Sequence, residues 1–108
     1  MTSNMTENLE AMLARGSDSA TLRLTLAARY FEQGDLARSL IHAEVAVKLD
    51  ADYSAAWRLL GKVLAASGRD DQAIATFQEG ITVAQRRGDK QAAKEMQVFL
   101  HRLEVGKK

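Results

Sequence analysis

The chain repeats itself. Laid over itself with an offset of 34 residues, segment 20–53 aligns with segment 54–87 without a gap. Gly34 then falls on Gly68, Leu26 on Leu60 and Asp50 on Ala84. A period of that length is the mark of stacked helix–turn–helix units, each too thin to bury its own apolar face. Neighbours complete one another's core, and about three units are needed for a stable array. Only two are complete here, so the flanking segments must supply the rest. A chain of 108 residues fits one such domain.

The local patterns agree with this architecture. There is no proline, and Ala and Leu are frequent, which favours helix nearly throughout. Sustained apolar–polar alternation, the strand signal, is absent, and the helical period replaces it. Met5, Leu9, Met12 and Leu13 make one stripe, and Leu22, Leu26 and Tyr30 a second. Leu40, Ala43 and Val47 follow, then Ala56, Leu60, Val63 and Leu64, then Ala73, Phe77 and Ile81. Ala92, Met96, Phe99, Leu100 and Leu103 close the chain. Gly16, Gly34, Gly68 and Gly88 stand where helix C-termini want positive φ. Asp18, Asp52, Asp70 and Asp89 stand where N-caps are expected. Six helices are predicted, over 5–14, 19–32, 36–49, 54–67, 70–86 and 89–104, with short connections that make neighbours antiparallel.

Small residues recur where helices must approach closely. Ala27 and Gly61 share one row of the repeat, Ser39 and Ala73 another, Ala46 and Gly80 a third. A glycine inside a helix costs about 1 kcal/mol relative to alanine, so Gly80 predicts close packing against the next helix. Met5, Leu9 and Met12 lie one period before Ser39, Ala43 and Ala46, so the helix at 5–14 is expected to be the second half of a truncated unit. The last helix fits the first half of a third unit if two residues are inserted near Gly88 and Asp89. Ala93, Met96 and Leu100 then pack inward, and Lys90, Lys94, Gln97, His101 and Glu104 form a polar cap. The expected organisation is one domain, 1–108: a packing helix at 5–14, repeats at 20–53 and 54–87, a capping helix at 88–104 and a tail at 105–108.

The second unit, SAAWRLLGKVLAASGRDDQAIATFQEGITVAQ, resembles a tetratricopeptide repeat. Trp57, Leu60, Gly61 and Leu64 stand where the family has W-x2-L-G-x2-Y, and Ala73 and Phe77 where it has A-x3-F. In the first unit Leu26, Ala27, Tyr30 and the Gly34–Asp35 turn match, while Arg23 replaces the tryptophan and Ser39 the alanine. The family's closing proline is replaced by Ala51 and Gln85, leaving the stops to Asp50–Asp52 and Gly88. The resemblance implies an all-α fold of antiparallel hairpins stacked as a short right-handed α-solenoid. It also implies a concave groove, lined by the first helix of each unit, that accepts peptides or helices.

Carried onto this chain, that face consists of Thr21, Leu24, Ala28 and Phe31 in the first unit. Ala55, Arg58, Lys62 and Ala65 follow in the second, then Gln91, Lys94, Val98 and His101 in the last helix. It grades from apolar to basic. Arg58 and Lys62 are one turn apart with no acid between them, which suits a carboxylate-bearing partner or an ordinary solvated helix face. Phe31 is adjacent to Tyr30 and about 100° round the helix, so one face cannot bury both. It either anchors a ligand or covers the neighbouring turn; Tyr30 and Trp57 read as core. The clamp by which some members grip chaperone C-termini needs Lys, Asn and Arg at set positions. Leu24, Ala28, Leu59, Gln91 and Glu95 occupy those positions here, so that activity is excluded.

Other chemistry finds little support. Fifteen Lys and Arg against fourteen Asp and Glu give a net charge of +1, without the basic excess of a nucleic-acid binder. The pairs Arg86–Arg87 and Lys107–Lys108 lack interleaved aromatics and suit helix C-termini. With no cysteine, disulfides, thiol nucleophiles and thiolate metal sites are excluded, and a reducing compartment is expected. No stretch reaches the roughly 18 apolar residues of a membrane span, and the polar N-terminus does not resemble a signal peptide. His42 and His101 stand in no metal-ligand or catalytic spacing, so neither an enzyme nor a cofactor is expected. The reading is a cytoplasmic adaptor that binds an extended or helical, acidic segment of another protein. The alternative is a structural module that self-associates through its ends, using Met1, Met5 and the last helix.

Overall fold

A computed structural model describes residues 3–106, with side chains from residue 5 onward. Met1 and the Lys107–Lys108 pair lie outside the described residues. Six helices follow one another: α1 (Ser3–Ala14), α2 (Ala20–Glu32), α3 (Leu36–Leu49), α4 (Ser54–Ala66), α5 (Asp70–Arg87) and α6 (Lys90–Gly106). No end departs by more than two residues from the sequence expectation, and no strand occurs among the described residues.

The 34-residue period reappears as a repeated turn. Gly34 and Gly68 have φ of 80° and 77°. In each case the following N–H reaches back over the turn: Asp35 to the Tyr30 carbonyl and Arg69 to the Leu64 carbonyl, both at 2.9 Å. This is the six-to-one bond of a left-handed helix stop, which a glycine makes without a Cβ clash.

The helix starts differ from expectation. Of the four aspartates only Asp89 caps, its Oδ1 accepting the Ala92 N–H at 3.1 Å. Asp18 instead pairs with Arg23 at 2.9 Å, leaving Ser19 to cap α2 through the Leu22 N–H at 3.0 Å. Asp52 receives Arg86 at 2.8 Å, and Asp70 lies inside the first turn of α5, where its charge favours the N-terminal dipole. Asp35 caps α3 through the Arg38 N–H. Each displaced aspartate has an arginine or the helix dipole competing for its carboxylate.

Adjacent helices pair as antiparallel hairpins, α2 with α3, α4 with α5, and α5 with α6. The rows of small residues lie at these contacts: Ala27, Ser39, Ala46 and Ala73 are fully buried. The Ser39 hydroxyl donates to the Ala27 carbonyl at 2.7 Å. Gly80 lets α5 close on α6, for a Cβ there would meet Met96 Sδ at 2.6 Å. Trp57 is half-buried rather than fully buried; its Cβ lies against Gly80 and its Nε1–H donates to the Ala51 carbonyl at 2.8 Å.

Two layers result. In one, α2 approaches α4 and α4 approaches α6; in the other, α3 and α5 make no such approach. Helices that touch on one side and stand apart on the other bend the array, with α2, α4 and α6 inside the curve. Its extents are 44 × 28 × 21 Å, as expected for units stacked along one axis.

The first helix does not pack as its stripe predicts. Met5 is 53% exposed and Met12 39%, whereas Thr6 is buried and Leu9, Glu10 and Leu13 are half-buried. The face turned inward is therefore mixed. On it lies Glu10, which accepts a hydrogen bond from the Tyr30 hydroxyl and lies 3.8 Å from His42. A half-buried polar partnership, rather than the methionines, occupies the inward face of α1.

Candidate functional site

The inner layer carries a hollow of about 210 Å³ where α2, α4 and α6 converge, lined by Phe31, Lys62, Ala65, Phe77, Phe99, Arg102 and Leu103. Its apolar residues come from four helices. Phe77, from α5, is fully buried and reaches the hollow because Gly61 in α4 has no side chain to stop it. The Phe77 and Phe99 rings stack, with centroids 5.6 Å apart and planes 16° from parallel. Lys62 Nζ lies 5.6 Å from the Phe31 centroid and 5.7 Å from that of Phe99. An ammonium at that range over two rings is held by their negative faces. Phe31 is thus half-buried, serving as one wall of the hollow.

The expectation that Arg58 and Lys62 share an acid-free face is corrected by α6. Arg58 Nη1 donates to Glu95 at 2.6 Å, and Gln91 Nε2 donates to the other Glu95 oxygen at 3.2 Å. The Gln91 hydrogen bond and then Arg58 hold the Glu95 carboxyl below the usual range. No spacing within α4 could reveal this acid, because it arrives from a helix 37 residues further on.

The remaining predicted residues divide. Leu24 and Ala28 are half-buried on α2, with Leu24 packed on the core. Lys94 and His101 line a separate shallow hollow with Gln97, Val98 and Arg102, and Val98 is 49% exposed. Phe99, Arg102 and Leu103, rather than Lys94 or His101, line the central hollow. The signal was present for two of them: Phe99 and Leu103 are one turn apart on the apolar stripe of α6.

A polar cluster stands at the other end. The Tyr30 and His42 rings stack at 5.6 Å, 9° from parallel, and Arg23 Nη1 lies 3.1 Å from His42 Nδ1. A guanidinium has no acceptor, so Nδ1 accepts and the proton resides on Nε2, which faces Glu10 at 3.8 Å. Burial lowers the His42 pKa from its ordinary 6.5, and Arg23 adds to this, while Glu10 and Asp18 oppose it. Arg38 completes the surroundings, 5.7 Å over Tyr30. A histidine depressed in the folded state binds fewer protons there than when unfolded. Its stabilising effect is complete above the unfolded pKa of 6.5 and fades as pH falls below it. The melting temperature should therefore drop from neutral to mildly acidic pH, above the carboxylate range. His42→Phe should flatten that slope; an unchanged slope would acquit His42.

Among the described residues no group of three or more His, Cys, Asp or Glu is placed to hold a metal ion. Among these same residues no helix is long and apolar enough to cross a membrane. The tetratricopeptide repeat profile matches residues 30–95. A TPR repeat-containing protein of Pseudomonas aeruginosa is 45% identical over 100 residues, covering 93% of this chain and 95% of that one. A solution structure of a Bordetella parapertussis protein superimposes with a TM-score of 0.82 at 44% identity, over 94% of this chain and 88% of the other. The crystal structure of a tetratricopeptide repeat domain protein from Salinibacter ruber gives 0.77 at 30% identity, over 82% and 98%. With its period, its turns and its small-residue rows in place, the chain belongs to the tetratricopeptide repeat family.

Proposed function

We propose that this protein is an adaptor that takes up an extended or helical segment of another protein along the inner face of α2, α4 and α6. The observation that carries this reading is the apolar hollow on that face, open between three helices and walled by Phe31 and Phe99. Such a concave apolar site with a few convergent polar groups is where ligands bind by default. The proposed contacts are Leu24, Ala28, Phe31, Arg58 and Lys62, with Lys94 and His101 at the far end of the groove. Membership of the family supports protein–protein interaction in general.

The test pairs capture with mapping. A partner isolated on the wild-type chain, and absent from eluates of a Phe31→Asp variant of unchanged helicity, is titrated into isotope-labelled protein. Amide shifts should concentrate in α2, α4 and α6. Shifts confined to α1 and α3 would reject the groove.

Self-association is the second reading, supported by the exposure of Met5 at one end and of Val105, 54% exposed, at the other. Sedimentation at micromolar concentration decides it, since a clean monomer removes it.

A further inference from the structure

We infer that the occupant of the groove is an acidic linear segment bearing one bulky apolar side chain, which enters the hollow between Phe31, Phe77 and Phe99 while flanking carboxylates pair with Lys62 and Arg102. This rests on the groove reading above and gives the partner a chemistry.

Size comes first. An apolar cavity of about 150 Å³ is enough to take up benzene, and this hollow measures about 210 Å³. A phenylalanine or leucine side chain fits it; a longer run of backbone does not. The interior is apolar, formed by rings with Ala65 and Leu103, so a polar side chain entering it would lose its hydration without compensation.

Charge decides the flanks. Arg58 and Glu95 form an ion pair at 2.6 Å, so their charges cancel. Lys62 and Arg102 also line the hollow, and among the described residues no carboxylate lies within ion-pair distance of either. Lys62 acts on Glu95 through space without pairing with it, so the rim keeps two unpaired cations, which complement an anion on each side of an inserted side chain. The Lys62 ammonium is already fixed over the Phe31 and Phe99 rings. A carboxylate beside the inserted group meets it with little side-chain ordering still to be done. A single-stranded nucleic acid, stacking a base among the same rings, would want a longer run of cations than two.

The probe is a blocked pentapeptide, Glu-Asp-Phe-Asp-Glu, titrated to millimolar concentration into the isotope-labelled full chain. Signals of Phe31, Lys62, Ala65, Phe99 and Leu103 should move together. Replacing the central Phe by Ala should weaken binding by at least about tenfold, since burying a ring of that size is worth that much or more. Lysine flanks should abolish it, and added salt should weaken the parent peptide. On the protein, Ala65→Phe fills the hollow from its wall and should block the peptide. The Lys62→Gln, Arg102→Gln double variant, which leaves the core intact, should weaken it and remove the salt dependence, and it decides the matter if Ala65→Phe fails to fold. Equal binding of the Ala peptide, no movement of these signals, or tighter binding of oligothymidylate would each overturn the inference. If the isolated partner still maps to α2, α4 and α6 while the peptide leaves the hollow untouched, the occupant is wrong and the groove stands. A partner mapping elsewhere removes both.

Discussion

Phe77→Ala is expected to destabilise the fold by about 3–5 kcal/mol, the usual result of truncating a fully buried aromatic side chain. The ring has no exposure, lies against Gly61 of α4 and stacks on Phe99 of α6. One side chain of α5 thereby joins the second hairpin to the capping helix. In an array whose units touch only their neighbours, no distant contact makes up that loss. Domains of this size hold about 5–15 kcal/mol in all, so the variant should give up a large share of its stability. Urea denaturation followed by far-UV circular dichroism measures this directly. Phe77→Leu, which leaves less empty volume, should lose markedly less. A loss below about 1 kcal/mol for Phe77→Ala would mean that the surroundings collapse freely onto the cavity, and the ring would not be the joint described here.

Gly61→Val should be comparably severe, for the opposite reason. A Cβ at residue 61 would lie 2.4, 2.6 and 2.7 Å from three atoms of the Phe77 ring. That ring cannot retreat, being buried and stacked. Overpacking of this kind costs about 1–3 kcal/mol and occasionally more, and valine adds two methyl groups in the same space. Gly61→Ala carries the same clash but regains about 1 kcal/mol of helix propensity, so its net loss should be smaller. The two sites should be coupled. In a Phe77→Leu background Gly61→Ala should be less harmful, because Cε1 and Cζ, the two atoms it strikes most closely, are gone, and a double-mutant cycle by urea denaturation would read the difference. Strict additivity would show that Gly61 is small for some reason other than the ring.

What could be read from the residues beforehand follows from how far apart the cooperating groups lie. Helix spans were legible because their signals are local: Gly34 and Gly68 end their helices with the same turn, and the stripes recur within a few residues. Caps were less so. Asp18 and Asp52 look like N-caps in isolation, yet Arg23 and Arg86 draw them away, and for Asp52 the competitor lies 34 residues off. The rotation of α1 was misread because Met5 and Met12 advertise an apolar face, while Glu10 acts through Tyr30 and His42 on two other helices. At the groove, Phe31 and Lys62 could be named from their place in the repeat. Phe99 could be read as apolar but not as part of the groove, and Glu95 and Arg102 not at all, since the frame shifted by two residues near Gly88 selects Lys94 and His101 instead.

The contrast between the two layers has a mechanical consequence. Ribs drawn together along one edge and spread along the other behave as a folding fan. Rocking α2–α3 against α4–α5 changes the spacing between α3 and α5, whose backbones do not approach one another, while the contacts that α2 and α3 both make with α4 act as the pivot. A body wedged at that pivot turns the ribs through a small angle, and the displacement grows with distance toward the outer rim. Occupancy inside the arc would thereby be read as a small change of shape on the outside.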